Sequence, residues 1–552
     1  MDRIWHKSYD PDVPFSLEYP ETSLPLILEQ NAKSFSDVTA IEFFGAKLTY
    51  SQFWSHVLRL ANGLRHVGVG EGTKAAIMLP NTPQFVIAYY AVLWLGATAI
   101  LTNPLYVERE LVHQWTDSDA EVLFTLDHLY PKVQKVLPRT GIRSTIVTSI
   151  KDYLPFPLNC LYPLKARFKK LFTSVPFDGI HLFSFKKMIE ENRLDPIPCS
   201  AHPDGLALLQ YTGGTTGTPK GAMLTHRNIF SNVAQAVAWL PGLVRGKERF
   251  LSVLPFFHVF GMTVALNLAI YTGSSMIIMP RFDAGEVMRT IKKKRPTMFP
   301  GVPAIYIALM AHPKIHSFDL TSIRICITGA APMPVEILRK FEEKTGSKIL
   351  EGYGLSEASP VTHVNPIGGT RKPGSIGIPL PDTDCRIVDA QTGIDEVPTG
   401  RVGELIVRGP QVMRGYWKKQ EETSQTLRDG WLYTGDLATM DSSGYVFIVD
   451  RKKDLVIMGG YNVYPREIEE VLYEHPKVQD AAAIGIPHPK MGEAVKVFVV
   501  PKRDADLSQQ EVLDWCKEKL APYKVPKEVE LRDSLPKTMV GKVLRRELRE
   551  SN

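Results

Sequence analysis

The sequence predicts an α/β protein: a large N-terminal domain of several subdomains, with parallel sheets and a small β region, followed by a small α+β C-terminal domain. Three observations predict it. From residue 40 to about 330, short apolar runs alternate with amphipathic segments of helix length, the pattern of strands buried on both faces between covering helices. From about 398 to 449 the elements shorten and read as strands of a small β region. Beyond residue 452 a compact tail begins with its own apolar periodicity. A chain of 552 residues with 44% hydrophobic content holds more apolar material than one small core needs, so division into domains is expected.

The strands of the large domain are expected at the apolar runs 75–79, 122–125, 145–147, 251–254, 275–279 and 323–328. The stretch 85–101, FVIAYYAVLWLGATAIL, is nearly uncharged and 17 residues long, the lower limit for a membrane span. Gly96 divides it into a helix-like part and a β-prone piece, so it reads as a buried helix feeding an interior strand. Between 151 and 185 the chain turns aromatic and basic. This segment suits a membrane surface or a connector packed over the large domain, and Pro155, Pro157 and Pro163 favour the connector. Strands are expected at 403–409 and 444–449, followed by the charged run Asp450-Arg451-Lys452-Lys453-Asp454. The tail reads as βαβ-like. A helix from Pro465 places Ile468, Val471 and Leu472 on one face, strands follow at 481–486 and 495–500, and Ser508 with Glu511 forms a capping box for a further helix. The boundary falls after residue 452, giving domains 1–452 and 453–552.

A formal charge of +6, from 65 basic and 59 acidic residues dispersed along the chain, mildly favours anionic ligands and gives no footprint for nucleic acid. Five widely spaced cysteines without a CxxC pair suggest neither a disulfide framework nor a zinc site, and fit a reducing compartment. The N-terminus lacks the apolar core of a secretory signal, and the C-terminus is not a peroxisomal address. A cytoplasmic protein is expected, with peripheral contact at the inner face of the membrane and a homodimer both compatible with the sequence.

The strongest local signal is Tyr211-Thr212-Gly213-Gly214-Thr215-Thr216-Gly217-Thr218-Pro219-Lys220-Gly221, which comes after an apolar run. Glycines let backbone N–H groups turn around a phosphate, threonine hydroxyls add donors, and lysine supplies positive charge. It is not a Walker A loop, because Pro219 separates the glycines from Lys220 and Gly221 comes next.

This loop, continued to His226, resembles the signature of the adenylate-forming superfamily of acyl-CoA synthetases, peptide-synthetase adenylation domains and luciferases. Further motifs come in the family's order: LPFFHVFG at 254–261, TGAAP at 328–332, EGYGLSE at 351–357, GWLYTGD at 430–436, DRKKD at 450–454 and LPKTMVGK at 535–542. Together they span almost the whole chain, and the overall likeness is to bacterial long-chain fatty-acid–CoA ligases.

The resemblance implies a chemistry. A carboxylate attacks the α-phosphorus of ATP, acyl-AMP and pyrophosphate form, and coenzyme A then takes the acyl group. Both first reactants are anions; at an effective dielectric of about 20, unit charges ~4 Å apart repel by about 4 kcal/mol, so cations must converge. The resemblance assigns Thr212, Gly213, Gly214, Thr215, Thr216, Gly217, Thr218 and Lys220 to the β- and γ-phosphates, and Glu357 to Mg²⁺. Tyr353, with Gly352 and Gly354 beside it, would stack on adenine near Gly329, Ala330 and Ala331. Ser356 would stand near the α-phosphate, where many relatives have threonine. Asp436 would accept the ribose hydroxyls, with Arg451 as its companion. Lys542 matches the lysine of a mobile C-terminal domain, which enters the site for adenylation. Lys453 would be the hinge, and rotation there would exchange Lys542 for a coenzyme A face at Gly459 and Gly460. Lys542, Thr216, Lys220 and Glu357 are the residues expected to carry catalysis.

The acid would lie against Phe257, His258, Phe260, Gly261, Met262, Gly301 and Val302, which are mostly apolar or small and favour an aliphatic or aryl acid. A medium- or long-chain fatty acid is the expected substrate. The alternatives are another acid–CoA ligase, aryl or shorter-chain, and an acyl-AMP ligase that delivers to a carrier protein.

Overall fold

The computed structural model describes residues 3–168, 173–212, 219–458, 461–489, 491–503, 505–538 and 541–550. Among them the chain forms four sheets. A seven-stranded sheet runs in the order Leu182–Ser184, Ser144–Thr148, Val122–Leu126, Lys74–Met78, Thr98–Leu101, Leu206–Thr212, Lys220–Thr225, parallel throughout except for the last pair. A nine-stranded sheet has a parallel centre of Lys348–Gly354, Ile325–Thr328, Met298–Gly301, Arg249–Ser252, Ser275–Ile278 and Thr39–Phe43. Antiparallel strands close both of its edges. A five-stranded antiparallel sheet comes next, built from Asp384–Val388, Gly403–Arg408, Leu427–Arg428, Trp431–Met440 and Val446–Arg451. The fold class expected from the sequence is the one observed.

The apolar stretch 85–101 is part of the main buried core. Helix Pro83–Trp94 is buried on every side, Gly96 turns the chain at φ 70°, and strand Thr98–Leu101 enters the seven-stranded sheet. Proline at the first helical position and Thr82, whose hydroxyl accepts from the Phe85 N–H at 3.3 Å, start the helix. No helix among the described residues is long and apolar enough to cross a membrane. The basic-aromatic segment contains helix Leu158–Phe168, on whose surface Leu161, Leu164 and Phe168 are exposed.

The apolar run at 251–254 is strand only as far as Ser252. Asn81 captures the backbone just beyond it: its amide donates to the carbonyls of Ser252 at 3.3 Å and Leu254 at 2.8 Å, and its carbonyl accepts from the Phe256 N–H at 2.8 Å. A bend forms there because a side chain from the loop between strand Lys74–Met78 and helix Pro83–Trp94 supplies the hydrogen bonds a strand would have made.

The tail differs from the βαβ expectation in its first half. Val478–His488 and Gly492–Pro501 pair with each other as a long antiparallel hairpin. The parallel unit comes next: Gly492–Pro501, helix Gln509–Lys519 and Glu528–Leu531. Ile468 and Leu472 on helix Pro465–Tyr473 are buried as expected, with Val471 partly buried beside them. Ser508 caps the later helix by accepting from the Glu511 N–H at 3.1 Å. The reciprocal half of the capping box is absent, because the Glu511 carboxylate is drawn to Lys477 at 2.9 Å. The buried apolar side chains of the tail form cores of their own, the larger running from Val456 to Val525, separate from the core that ends at Val446.

Candidate active site

The two large sheets bring strand ends together, Gln210 of the first bonding the Phe257 carbonyl beyond strand Arg249–Ser252 of the second. Strands Met298–Gly301, Ile325–Thr328 and Lys348–Gly354 are in register, Gly301 against Thr328 and Thr328 against Glu351. Gly301 and Val302, the loop Gly329-Ala330-Ala331, and Gly352 to Gly354 therefore line one edge, at the carboxyl ends where open α/β sheets bind ligands. Close backbone approach explains the glycines. A Cβ on Gly329 would lie 2.9 Å from the Gly352 carbonyl oxygen, and one on Gly354 would lie 2.1 Å from that of Pro360. Ala330, at φ 70°, accepts a left-handed conformation that L-residues rarely adopt.

Strands Leu206–Thr212 and Lys220–Thr225 form a hairpin whose last pair is Thr212 with Lys220. The residues between, Gly213, Gly214, Thr215, Thr216, Gly217 and Thr218, lie outside the described residues. Lys220 emerges half-buried, 3.7 Å from the Glu422 carboxylate and 5.3 Å from the centre of the Tyr416 ring. The Tyr416 hydroxyl in turn donates to Glu357 Oε1 at 2.8 Å. Tyr416 thus joins the lysine and the carboxylate that the resemblance assigns to phosphate and to metal, a connection the sequence did not reveal; an aromatic residue among short strands carries no distinguishing mark. Ser356 and Glu357 open a short 3-10 turn directly after strand Lys348–Gly354.

Asp436 and Arg451 are cross-strand partners in the five-stranded sheet, and Arg451 Nε lies 2.6 Å from Asp436 Oδ1. The Tyr353 hydroxyl donates to the other oxygen of Asp436. The Asp436 carboxylate keeps the Arg451 guanidinium firmly protonated. The structure therefore assembles Tyr353, Asp436 and Arg451 in one cluster. Lys453 is exposed immediately beyond it, and Gly459 and Gly460 lie outside the described residues.

Lys542 comes to this cluster from the tail. Its backbone is held in a tight turn by Thr538, whose N–H donates to the Lys542 carbonyl at 2.8 Å and whose hydroxyl accepts from the Lys542 N–H at 3.1 Å. A Cβ on the neighbouring Gly541 would lie 3.4 Å from the Cβ of Ala304, just past Val302. Burial, and then the positive charge of Arg451, lower the Lys542 pKa from 10.5 to about 8, while Asp436 pulls the other way. Its charge also reaches His258, whose pKa falls to about 4, first through burial and then through Lys542.

His258 is neutral, and its tautomer is set by geometry. Nδ1 accepts from the Phe260 N–H at 3.2 Å, so the proton sits on Nε2. The bend 254–262 that carries His258 needs Gly261, since a Cβ there would lie 2.2 Å from the Pro255 carbonyl oxygen. Phe260 stands 3.7 Å from the same point on Gly329, linking the bend to the strand ends. Phe257 is held by Gln210, which donates to its carbonyl at 3.3 Å. Met262 is fully buried beneath Tyr89, behind the bend. Asn81 and Gln210 support this wall; nothing near Asn81 marked it, and Gln210 stands just before the 211–221 signature without belonging to it.

The profile of the AMP-binding enzyme family matches residues 28–417, and that of the AMP-binding enzyme C-terminal domain matches residues 467–542. The chain belongs to the AMP-binding enzyme family. It is 49% identical over 549 residues to a long-chain-fatty-acid–CoA ligase of Bacillus subtilis, covering 99% of this chain and 97% of that protein. It is 40% identical to a Yersinia pestis protein of the same description, covering 100% and 98%. Among solved structures, ATP-bound MatB from Rhodopseudomonas palustris superposes with a TM-score of 0.84 at 30% identity, covering 96% of this chain and 99% of that one.

Proposed function

We propose that this chain couples ATP cleavage to the ligation of a medium- or long-chain fatty acid to coenzyme A, through an acyl-adenylate. The observation that carries the reading is Lys542, brought from the separately packed tail into the cluster of Asp436, Arg451 and Tyr353 and within electrostatic reach of His258. A cation placed there lies where a carboxylate and a triphosphate would meet and compensates their repulsion. The fatty carboxylate attacks the α-phosphorus, pyrophosphate leaves, and the thiol of coenzyme A then displaces AMP from the acyl carbon.

Each side chain has a distinct part in this chemistry. Thr212, Lys220 and the loop between them hold the β- and γ-phosphates. Tyr353 faces the base, and Asp436 accepts the ribose hydroxyls, with Arg451 fixing its carboxylate. Neutral His258 offers its Nε2–H on the acid side of the cleft. Glu357 suits Mg²⁺: it is a half-buried carboxylate with no salt bridge among the described residues, and Mg²⁺ takes few protein carboxylates when phosphate oxygens complete its shell. The ion would offset triphosphate charge. The division at 452/453 is supported by the gap between the cores ending at Val446 and beginning at Val456.

An aliphatic chain is favoured by the apolar wall and by the full-length likeness to long-chain-fatty-acid–CoA ligases. Each buried methylene contributes about 0.8 kcal/mol, so discrimination against short acids would accumulate along the chain. A panel of aliphatic and aryl acids, assayed for AMP release with and without coenzyme A, tests the reading. CoA-dependent release that rises with chain length and stops on chelation of Mg²⁺ is expected. Equal release without coenzyme A would assign an acyl-AMP ligase instead, and a preference for aryl acids contradicts the fatty-acid assignment.

A further inference from the structure

Residues on both sides of Lys453 are tied together by charged groups that the ligation reaction itself does not use. Strand Val446–Arg451 precedes the proposed hinge, and helix Pro465–Tyr473 lies after it. Arg466, in the first turn of that helix, donates from Nη1 to the Ile448 carbonyl at 2.8 Å, and its backbone N–H donates to Asp450 Oδ2 at 2.9 Å. Asp450 is buried, and Arg545, three residues beyond Lys542, approaches its other oxygen at 3.9 Å. The Arg466 charge also reaches the half-buried carboxyl of Glu351, in the strand that leads to Tyr353.

These contacts differ in kind from their neighbours. Arg545 also binds Asp454 at 2.9 Å and Glu469 at 2.8 Å, and Arg549 binds Asp454 at 2.7 Å. All four of those residues lie beyond Lys453, so rotation at the hinge carries that network along unchanged. Ile448, Asp450 and Glu351 lie before it. Any such rotation must therefore break the bonds from Arg466 and draw Arg545 away from Asp450.

We infer that Arg466 is a positioning residue: with Asp450 it forms a latch across the hinge that selects the orientation in which Lys542 occupies the site. This rests on the reading of Lys542 as the adenylation lysine and of Lys453 as the hinge. A latch present in only one orientation acts on only one half-reaction, because it shifts the population of that orientation.

The experiment compares acid-dependent ATP–pyrophosphate exchange with thioester formation from supplied acyl-adenylate, in the full chain. Arg466→Ala should slow exchange about tenfold, equivalent to ~1.4 kcal/mol in the orientation equilibrium, and leave thioester formation unchanged or faster. Arg466→Lys should recover most of the loss. Arg549→Ala, whose bond lies wholly beyond the hinge, should not separate the two reactions. Equal loss of both half-reactions in Arg466→Ala, or loss of neither, overturns the latch. Lys542→Ala in parallel keeps the two claims apart: if it retains exchange, the reading of Lys542 fails whatever Arg466 does.

Discussion

Lys542 is held where burial and the Arg451 guanidinium weaken its grip on a proton, and its pKa of about 8 brings that to the edge of the working range. The ammonium form, present below that value, is the form that offsets anionic charge; above it the side chain becomes a neutral amine. Because kcat/KM reports the free enzyme, kcat/KM for ATP in the adenylation step should fall about tenfold per pH unit above ~8. Bound triphosphate favours the ammonium, so the limb in kcat should lie higher. Lys542→Arg, slower at every pH, should lose the limb, and a pH profile that keeps it near 8 would transfer the titration to another group. The lysine itself was legible through the spacing Pro-Lys-Thr-x-x-Gly-Lys, since Lys524, Lys527 and Lys537 lie nearby and have nothing else to separate them from it. Tyr416, which links Lys220 to Glu357, was not legible, because its significance lies in two partners distant in sequence.

At the scale of elements, strands buried on both faces announced themselves as continuous apolar runs, and those at 122–126 and 144–148 lie where the runs predicted. Pairing was less legible. The apolar pattern reports which face is buried, not which strand lies alongside, so the Val478–His488 hairpin was read as part of a βαβ unit. The bend at 253–257 was hidden for a related reason, since its hydrogen bonds come from Asn81, in the loop after strand Lys74–Met78. Asn81→Ala would leave one buried N–H and two carbonyls without that partner. A loss of about 3 kcal/mol is expected at the ~1–3 kcal/mol typical of an unsatisfied buried group, together with a higher KM for the acid, since the bend carries His258. Thermal melting and steady-state kinetics read both effects, and an unchanged midpoint contradicts the bracing role.

At the scale of the molecule, the sequence indicated two folded units and the charged run that joins them, through the change of periodicity near residue 452. It could not indicate how one sits on the other, because that depends on contacts such as Arg466 with Ile448 that no local pattern encodes. The structure brings the tail's lysine within electrostatic reach of Arg451 and Asp436, and the proposed reaction depends on that placement. The most direct test measures acid-dependent exchange of labelled pyrophosphate into ATP, beside thioester formation from supplied acyl-adenylate, in Lys542→Ala and the unaltered chain. At least a hundredfold loss of exchange is expected, or roughly 2.7 kcal/mol, with thioester formation within about threefold of normal. Equal loss of both in a variant with an unchanged melting point, or no acid-dependent exchange in the unaltered chain, would contradict an adenylating role for Lys542.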